Sequence, residues 1–299
     1  MSDCPYDCEV CGASDWTRVY AGEVRDGIFG HSRADTQVFR CGGCGVERLD
    51  EAACPNESFY ETPAYRQLLQ EDLSKEGHYA VADELQIFAE QVLWPDRLRG
   101  KTVADVGCAG GSFLDHVSGR VGRAVAIEPC SVYHDSLRER GYEVLSYAAE
   151  GAALMGRVHL ATSFQVIEHV ANPRAFLADI RPLLAPDGEV LISTPNRNDI
   201  LMDLLPEVFP SFFYRVVHRW YFTAEALEAC AVAAGYEVVD TRFVHRYGMA
   251  NALRWLRDRK PTGRKRLSAI TPLADDLWSA YLAQCGKSDC IYMRLKPCP

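Results

Sequence analysis

The chain of 299 residues has no run of 18 apolar residues, which excludes a membrane-spanning helix. Its start, MSDCPYDCEVCG, lacks a basic region followed by an apolar stretch, so no secretory signal is expected and a cytoplasmic location is. Positive charge is also short. The 32 Lys and Arg stand against 41 Asp and Glu, a net −9, which argues against broad affinity for nucleic acid because such binding is driven by phosphate neutralisation. Internal repeats and low-complexity tracts are absent too. Cysteine, by contrast, is plentiful at 12. In a reducing compartment these thiols point to metal binding or plain burial rather than to disulfides.

The composition, 48 % apolar and 24 % charged, suits one large domain or a domain plus a small module. Residues 1–55 hold two Cys pairs among short strand-like pieces, Trp16–Tyr20 and Thr36–Arg40. Over 56–100 the apolar positions Leu85, Phe88, Ala89 and Val92 follow a helical period, closed by Pro95. From Lys101 short apolar runs alternate with helical stretches. TVADVG, RAVAIEP, YEVLSY, VHLATSF and GEVLIST read as strands, with SFLDHVSGR, VYHDSLRERG, AAEGAALMG and NPRAFLADIRPLLAP between them. That order predicts βαβ units and a mostly parallel sheet. YEVVDTRFVH and CIYMRLK complete it, the last strand antiparallel. Helical insertions are expected near 197–222 and 248–286. In the first, Pro206 and Pro210 should break the apolar pairs into short helical pieces that pack in the core or wall a pocket.

The stretch VADVGCAGGSFL removes side chains between a strand and a helix, as a ligand lying against the backbone requires. Its spacing is not the G-x-G-x-x-G of dinucleotide sites. The order VADVGCAGG, AIEP, SFQVIEHVANP, LLAPDGEVLISTPN resembles the class I S-adenosylmethionine-dependent methyltransferases, a Rossmann-like α/β fold with a seven-stranded, mostly parallel sheet. The resemblance covers about 80–299 and implies S-adenosylmethionine as cofactor. It implies that Asp105 orients the loop and the cofactor's amino-acid end, with Gly107, Ala109 and Gly111 allowing close approach. Ala109 stands where this type usually has glycine. Glu128 would accept the ribose hydroxyls, the segment Ala148–Glu150, with Ala149 at its centre, would border the adenine, and Phe164 and Gln165 would lie near the sulfonium.

Gln165–His169 is similar to the E-x-x-E-H run of ubiquinone-biosynthesis O-methyltransferases, in which acids and a histidine can gather a divalent metal; Gln165 replaces the first acid. His169 is the first candidate for the base that takes the acceptor's proton, since neutral imidazole titrates near working pH, and His218 is the second. Glu168 and His169 alternatively bond only to neighbouring loops.

Cys8-Glu-Val-Cys11 and Cys41-Gly-Gly-Cys44 are two C-x-x-C knuckles, each followed by glycine, and together suit a structural zinc. The chain therefore divides into a zinc-binding module, 1–55, and a methyltransferase domain, 56–299. A zinc ribbon ahead of such a domain resembles sugar and natural-product methyltransferases, which RDGIFG, FYETPAYR and HRWYF also resemble; it resembles equally the zinc-ribbon enzymes that methylate ribosomal RNA bases. Nine Lys and Arg against Asp258 between Arg242 and Arg266 make a local +8, so the rest of the chain carries −17. That patch suits a small anionic acceptor, a nucleotide-linked sugar first, methylated on oxygen or carbon, with His245, Arg246 and Tyr247 at a strand end. RNA methylation, or a non-catalytic zinc-dependent interaction protein on the same scaffold, are the alternatives.

Overall fold

The computed structural model describes residues 6–27, 32–70, 98–265 and 267–298. The helical period read at Leu85, Phe88, Ala89, Val92 and Pro95 lies outside the described residues. The strands run β1 (Trp16–Arg25), β2 (Ser32–Cys41), β3 (Glu47–Leu49), β4 (Thr102–Val106), β5 (Arg123–Ile127), β6 (Glu143–Leu145), β7 (Val158–Phe164), β8 (Leu184–Pro195), β9 (Trp220–Tyr221), β10 (Tyr236–Val244) and β11 (Cys290–Pro297).

Seven of them form one sheet in the order β10-β11-β8-β7-β4-β5-β6. β4, β5, β6, β7 and β8 pair in parallel, and β11 inserts antiparallel between β8 and β10. This is the Rossmann-like arrangement the alternating pattern predicted, inverted final strand included. Each strand divides its side chains between two cores by period-2 alternation. On β4, Val103 faces the core built with Phe113, Leu137 and Tyr292, while Ala104 and Val106 face the one built with Leu177, Val190 and Trp220. The helices Ser112–Val117, His134–Glu139 and Pro173–Ile180 occupy predicted crossovers. AAEGAALMG forms two 3₁₀ turns rather than a helix, Ala148–Glu150 and Ala152–Leu154. Six to nine residues with a central glycine are too few for a stable α-helical nucleus.

The second sheet is antiparallel, β1-β2-β3-β9. Its first three strands come from the cysteine-bearing segment, and the fourth comes from the 197–222 insertion: Glu47 pairs with Tyr221 and Arg48 with Trp220. That insertion forms the short helices Ile200–Leu204 and Pro210–Phe213, divided where Pro206 and Pro210 require. Val24, Val38 and Leu49 share a core with Leu205, Phe209, Tyr214 and Tyr221, and Cys8, Val10 and Trp16 join the core of the large sheet. A buried carboxylate ties the two segments further. Glu47 accepts from Arg40, from Arg197 Nε at 2.6 Å and from the Tyr214 hydroxyl at 2.7 Å. The small sheet is therefore packed as one wall of the large domain, which brings β1 to the edge of the functional cavity.

Candidate functional site

A cavity of about 1060 Å³ opens above the carboxyl ends of β4, β5, β7 and β8. That is the top of the range for one small-molecule site and leaves room for a cofactor beside an acceptor. The β4 end supplies Asp105, Gly107 and Ala109 to its wall, the β5 end Glu128, and the β7 end Phe164 and Gln165. The glycine turn is shaped by close approach. Gly107 has φ +77° and an added Cβ would lie 2.4 Å from Val166. Ala109 holds φ +46°, left-handed backbone that a non-glycine residue adopts at a cost of roughly 1–2 kcal/mol. Its N–H donates to Glu128 at 2.7 Å, and the Cys130 N–H donates to the other oxygen of the same carboxylate at 2.8 Å. Glu128 thereby stitches the first two strand ends together and keeps two further lone-pair directions for hydroxyls. Burial raises its affinity for a proton, against the two N–H bonds.

Asp105 is fully enclosed and accepts from Thr162 Oγ1 at 2.8 Å; burial pushes it up to about 7. It braces β4 against β7 as well as facing the cavity. Two residues assigned to the cofactor wall from sequence take other places. Ala149 is exposed, and its neighbour Ala148 lines the cavity instead, because the 3₁₀ turn points one residue inward. Gly111 does not reach the wall. It caps the helix Ser112–Val117 at φ +76°, where a Cβ would come within 2.6 Å of Leu137, so its missing side chain serves helix packing.

Across the cavity the Q-V-I-E-H block meets the insertion. His169 Nδ1 lies 2.7 Å from the Val217 carbonyl, to which it must donate, so Nε2 carries the lone pair. Burial holds this imidazole down to about 3, and it stays neutral through the physiological range. Tyr60 donates to the same carbonyl at 2.6 Å, and the rings of Tyr60 and Tyr65 stand edge-on to His169 at 5.3 and 5.4 Å. His218 is 4.7 Å away, ring to ring. Its Nε2 accepts from Arg215 Nη1 at 3.2 Å, which removes the lone pair that a base at this position would use. Gln165 is held by Ser193 Oγ and Cys290 Sγ, at a φ of +57°.

Glu168, His169 and His218 bring one ligand atom each within 4.8 Å, a three-membered cluster where the sequence suggested a pair. The donors fit a cation poorly, because Arg215 already sits on His218. Glu168 accepts from Thr194 at 3.1 Å, its other oxygen is buried without a partner, and burial pushes the acid up to about 7.

The Arg242–Arg266 segment departs from its expected role. Arg246 lines the cavity, but it is spent on Asp289 at 2.6 Å; Arg242 pairs with Asp240, and Arg257 with Asp258. Three of its nine cations are thus paired, two of them with Asp240 and Asp289 from outside the segment. Arg25 and Arg215, from β1 and the insertion, also line the cavity, and among the described residues neither makes an ion pair with a carboxylate, which no local charge count could single out.

The four cysteines converge at the far end of the small sheet. Cys8 Sγ lies 3.7 Å from Cys44 Sγ and Cys11 Sγ 3.5 Å from Cys41 Sγ, all four within 4.8 Å. The knuckles are built alike. Gly12 N–H donates to Cys8 O and Gly45 N–H to Cys41 O, with φ +79° and +76°.

A family profile described as a methyltransferase domain matches residues 73–241. The ubiquinone biosynthesis O-methyltransferase of Azotobacter vinelandii is 34% identical over 163 residues, covering 48% of this chain and 68% of the relative. The enzyme of that name from Aeromonas salmonicida is 27% identical over 173 residues, covering 52% and 70%. A Thermotoga maritima structure described as a SAM-dependent methyltransferase, possible histamine N-methyltransferase, aligns with TM-score 0.49 at 20% identity, over 74% of this chain and 93% of that one. With more than half its length under the family profile and the glycine turn, Glu128 and the seven-stranded sheet in place, the chain belongs to the S-adenosylmethionine-dependent methyltransferases.

Proposed function

We propose that the protein methylates an oxygen of a small acceptor, with His169 as the base. One observation carries this reading: the Nδ1–H bond to Val217 fixes the tautomer and leaves the lone pair on Nε2 of a neutral imidazole that lines the cavity, with Glu168 Oε1 3.9 Å from that nitrogen. Bound S-adenosylmethionine supplies a methyl already activated on a sulfonium, so the chain's task is positioning and removal of the acceptor's proton. Asp105, Gly107 and Glu128 hold the cofactor end, and Phe164 and Gln165 lie between it and His169. The relatives' printed names, O-methyltransferases, support oxygen as the methylated atom. A nucleotide-linked sugar remains one acceptor to test, although Arg246, which lines the cavity from the basic segment that suggested it, is paired with Asp289.

The experiment is methyl transfer from labelled S-adenosylmethionine to a panel of phenolic acids, other hydroxylated small molecules and nucleotide sugars. His169→Ala should lower kcat by roughly 10²–10⁴-fold with cofactor affinity unchanged. A product methylated on carbon or nitrogen, or a variant of undiminished kcat, overturns the assignment.

The same reading places a structural zinc on Cys8, Cys11, Cys41 and Cys44. Four sulfurs about 2.3 Å from a tetrahedral ion stand about 3.8 Å apart, close to the 3.7 and 3.5 Å separations here. All four positions are filled by protein, so the ion would hold fold rather than perform chemistry.

A further inference from the structure

We infer that the acceptor carries an oxyanion, a carboxylate or phosphate on an apolar or aromatic body, and that Arg25 and Arg215 grip it. This deepens the methyl-transfer reading and rests on it for the identity of the reaction. Arg25 ends β1 and Arg215 opens the turn before β9; the two are neighbours across an isolated parallel bridge. The bridge is fixed by Arg25 N–H to Tyr214 O and Val216 N–H to Arg25 O, both at 3.0 Å. Their guanidinium groups therefore start from adjacent backbone positions and both line the cavity.

Neither side chain is neutralised. Among the described residues no carboxylate makes an ion pair with either, and the Nε of each is buried without a hydrogen-bond partner. Other arginines withdrawn from solvent have an acid: Arg48 has Glu9 and Glu51, Arg197 has Glu47, Arg219 has Glu51, and Arg246 has Asp289. Two like charges side by side with no carboxylate at ion-pair distance, Glu168 acting on Arg215 only from farther off, are costly in a partly desolvated wall, and an incoming oxyanion removes that cost. The repulsion is visible in Arg25, which burial and then the Arg215 charge pull down to about 9. Guanidinium forks suit planar or tetrahedral oxyanions by two-pronged hydrogen bonding. Around them the wall is aromatic. The Arg25 guanidinium lies 4.4 Å over Phe212, and Phe209 packs against Trp255 at 5.2 Å. Such a surface takes an apolar or aromatic body. Arg215 bonds His218, which abuts His169, so the anion would dock one imidazole ring away from the base.

The test is calorimetric titration of the full chain with benzoate and with inorganic pyrophosphate, with and without saturating S-adenosylhomocysteine. Wild type should bind at least one of the two anions. R25Q and R215Q should each weaken that binding about tenfold or more while binding S-adenosylhomocysteine as wild type does. R25K and R215K, which keep charge but lose the fork, should fall between. Preference for benzoate assigns a carboxylate acceptor, and preference for pyrophosphate a phosphorylated one. The inference is overturned if wild type binds neither anion, or if the glutamine variants bind them equally well. Failure to bind S-adenosylhomocysteine would strike the methyl-transfer reading alone, because the anion titrations stand without it.

Discussion

His169 shows how one backbone carbonyl sets the chemistry of a side chain. Burial holds its imidazole at about 3 in the folded protein, against about 6.5 in an unfolded chain. Between those values the unfolded state binds a proton that the folded state refuses, so this residue's contribution to stability falls as pH drops below about 6.5. Asp105 and Glu168, both raised to about 7, act in the opposite direction: the folded protein takes up their protons first on acidification. The His169 part is isolated by comparing wild type with His169→Gln in thermal melts at pH 7 and pH 4.5. Wild type should lose about 2–3 kcal/mol relative to the variant over that interval. An unchanged difference would mean that His169 is protonated in the fold. At the glycine turn, Ala109 is held at φ +46°. Ala109→Gly should fold and bind S-adenosylmethionine at least as well as wild type in calorimetry, whereas Ala109→Val, β-branched at positive φ, should lose binding.

At the scale of elements, the joint between β3 and β9 is where the small sheet meets the acceptor side. Glu47 is fully buried and serves Arg40, Arg197 and Tyr214 together. Glu47→Ala would leave these partners uncompensated, and chemical denaturation should read a loss of about 3–5 kcal/mol. A loss under 1 kcal/mol would show that the network is dispensable. The cysteine knuckles sit in the same sheet as Arg25. Protein purified without added zinc should carry one zinc per chain by metal analysis, and Cys8→Ser/Cys41→Ser should carry none. Chelation should then lower the melting temperature and weaken acceptor turnover more than cofactor binding, since β1 lines the acceptor side only.

For the whole molecule, residues 1–55 are expected to be inseparable from the rest. Trp220, Tyr221 and Tyr214 are fully buried; Val24, Val38 and Leu49 share a core with the two tyrosines, and Val10, Trp16 and Phe39 share one with Trp220. A chain starting at residue 56 uncovers an apolar face and removes Arg25. It should express as aggregate, checked by solubility and circular dichroism against the full chain. A soluble, cooperatively melting fragment would show that the small sheet is an accessory.

The large sheet was legible because its signals are local: strand-length runs such as TVADV and RAVAI recur between helical stretches, and GEVLISTP and CIYMRLK extend them. That Asp105, Gly107 and Glu128 share one cavity wall was equally legible, since they come from consecutive strand ends whose positions the βαβ repeat dictates. Ala148 rather than Ala149 lines the cavity from the segment 148–150, and Gly111 packs on Leu137 at a helix start, details that spacing does not encode. The acceptor side was hidden for a different reason. Arg25 and Arg215 are 190 positions apart, and only the β1 bridge and the docking of the small sheet bring them together. The Arg242–Arg266 run looked like the anion site because charge counted along a chain omits the acids, such as Asp289, that tertiary folding sets opposite it. Sequence determined the sheet, the cofactor turn and the cysteine knuckles through periodicity and short-range spacing; the tertiary structure alone decided which imidazole keeps its lone pair and which cations stay unpaired, because both depend on partners distant in the chain.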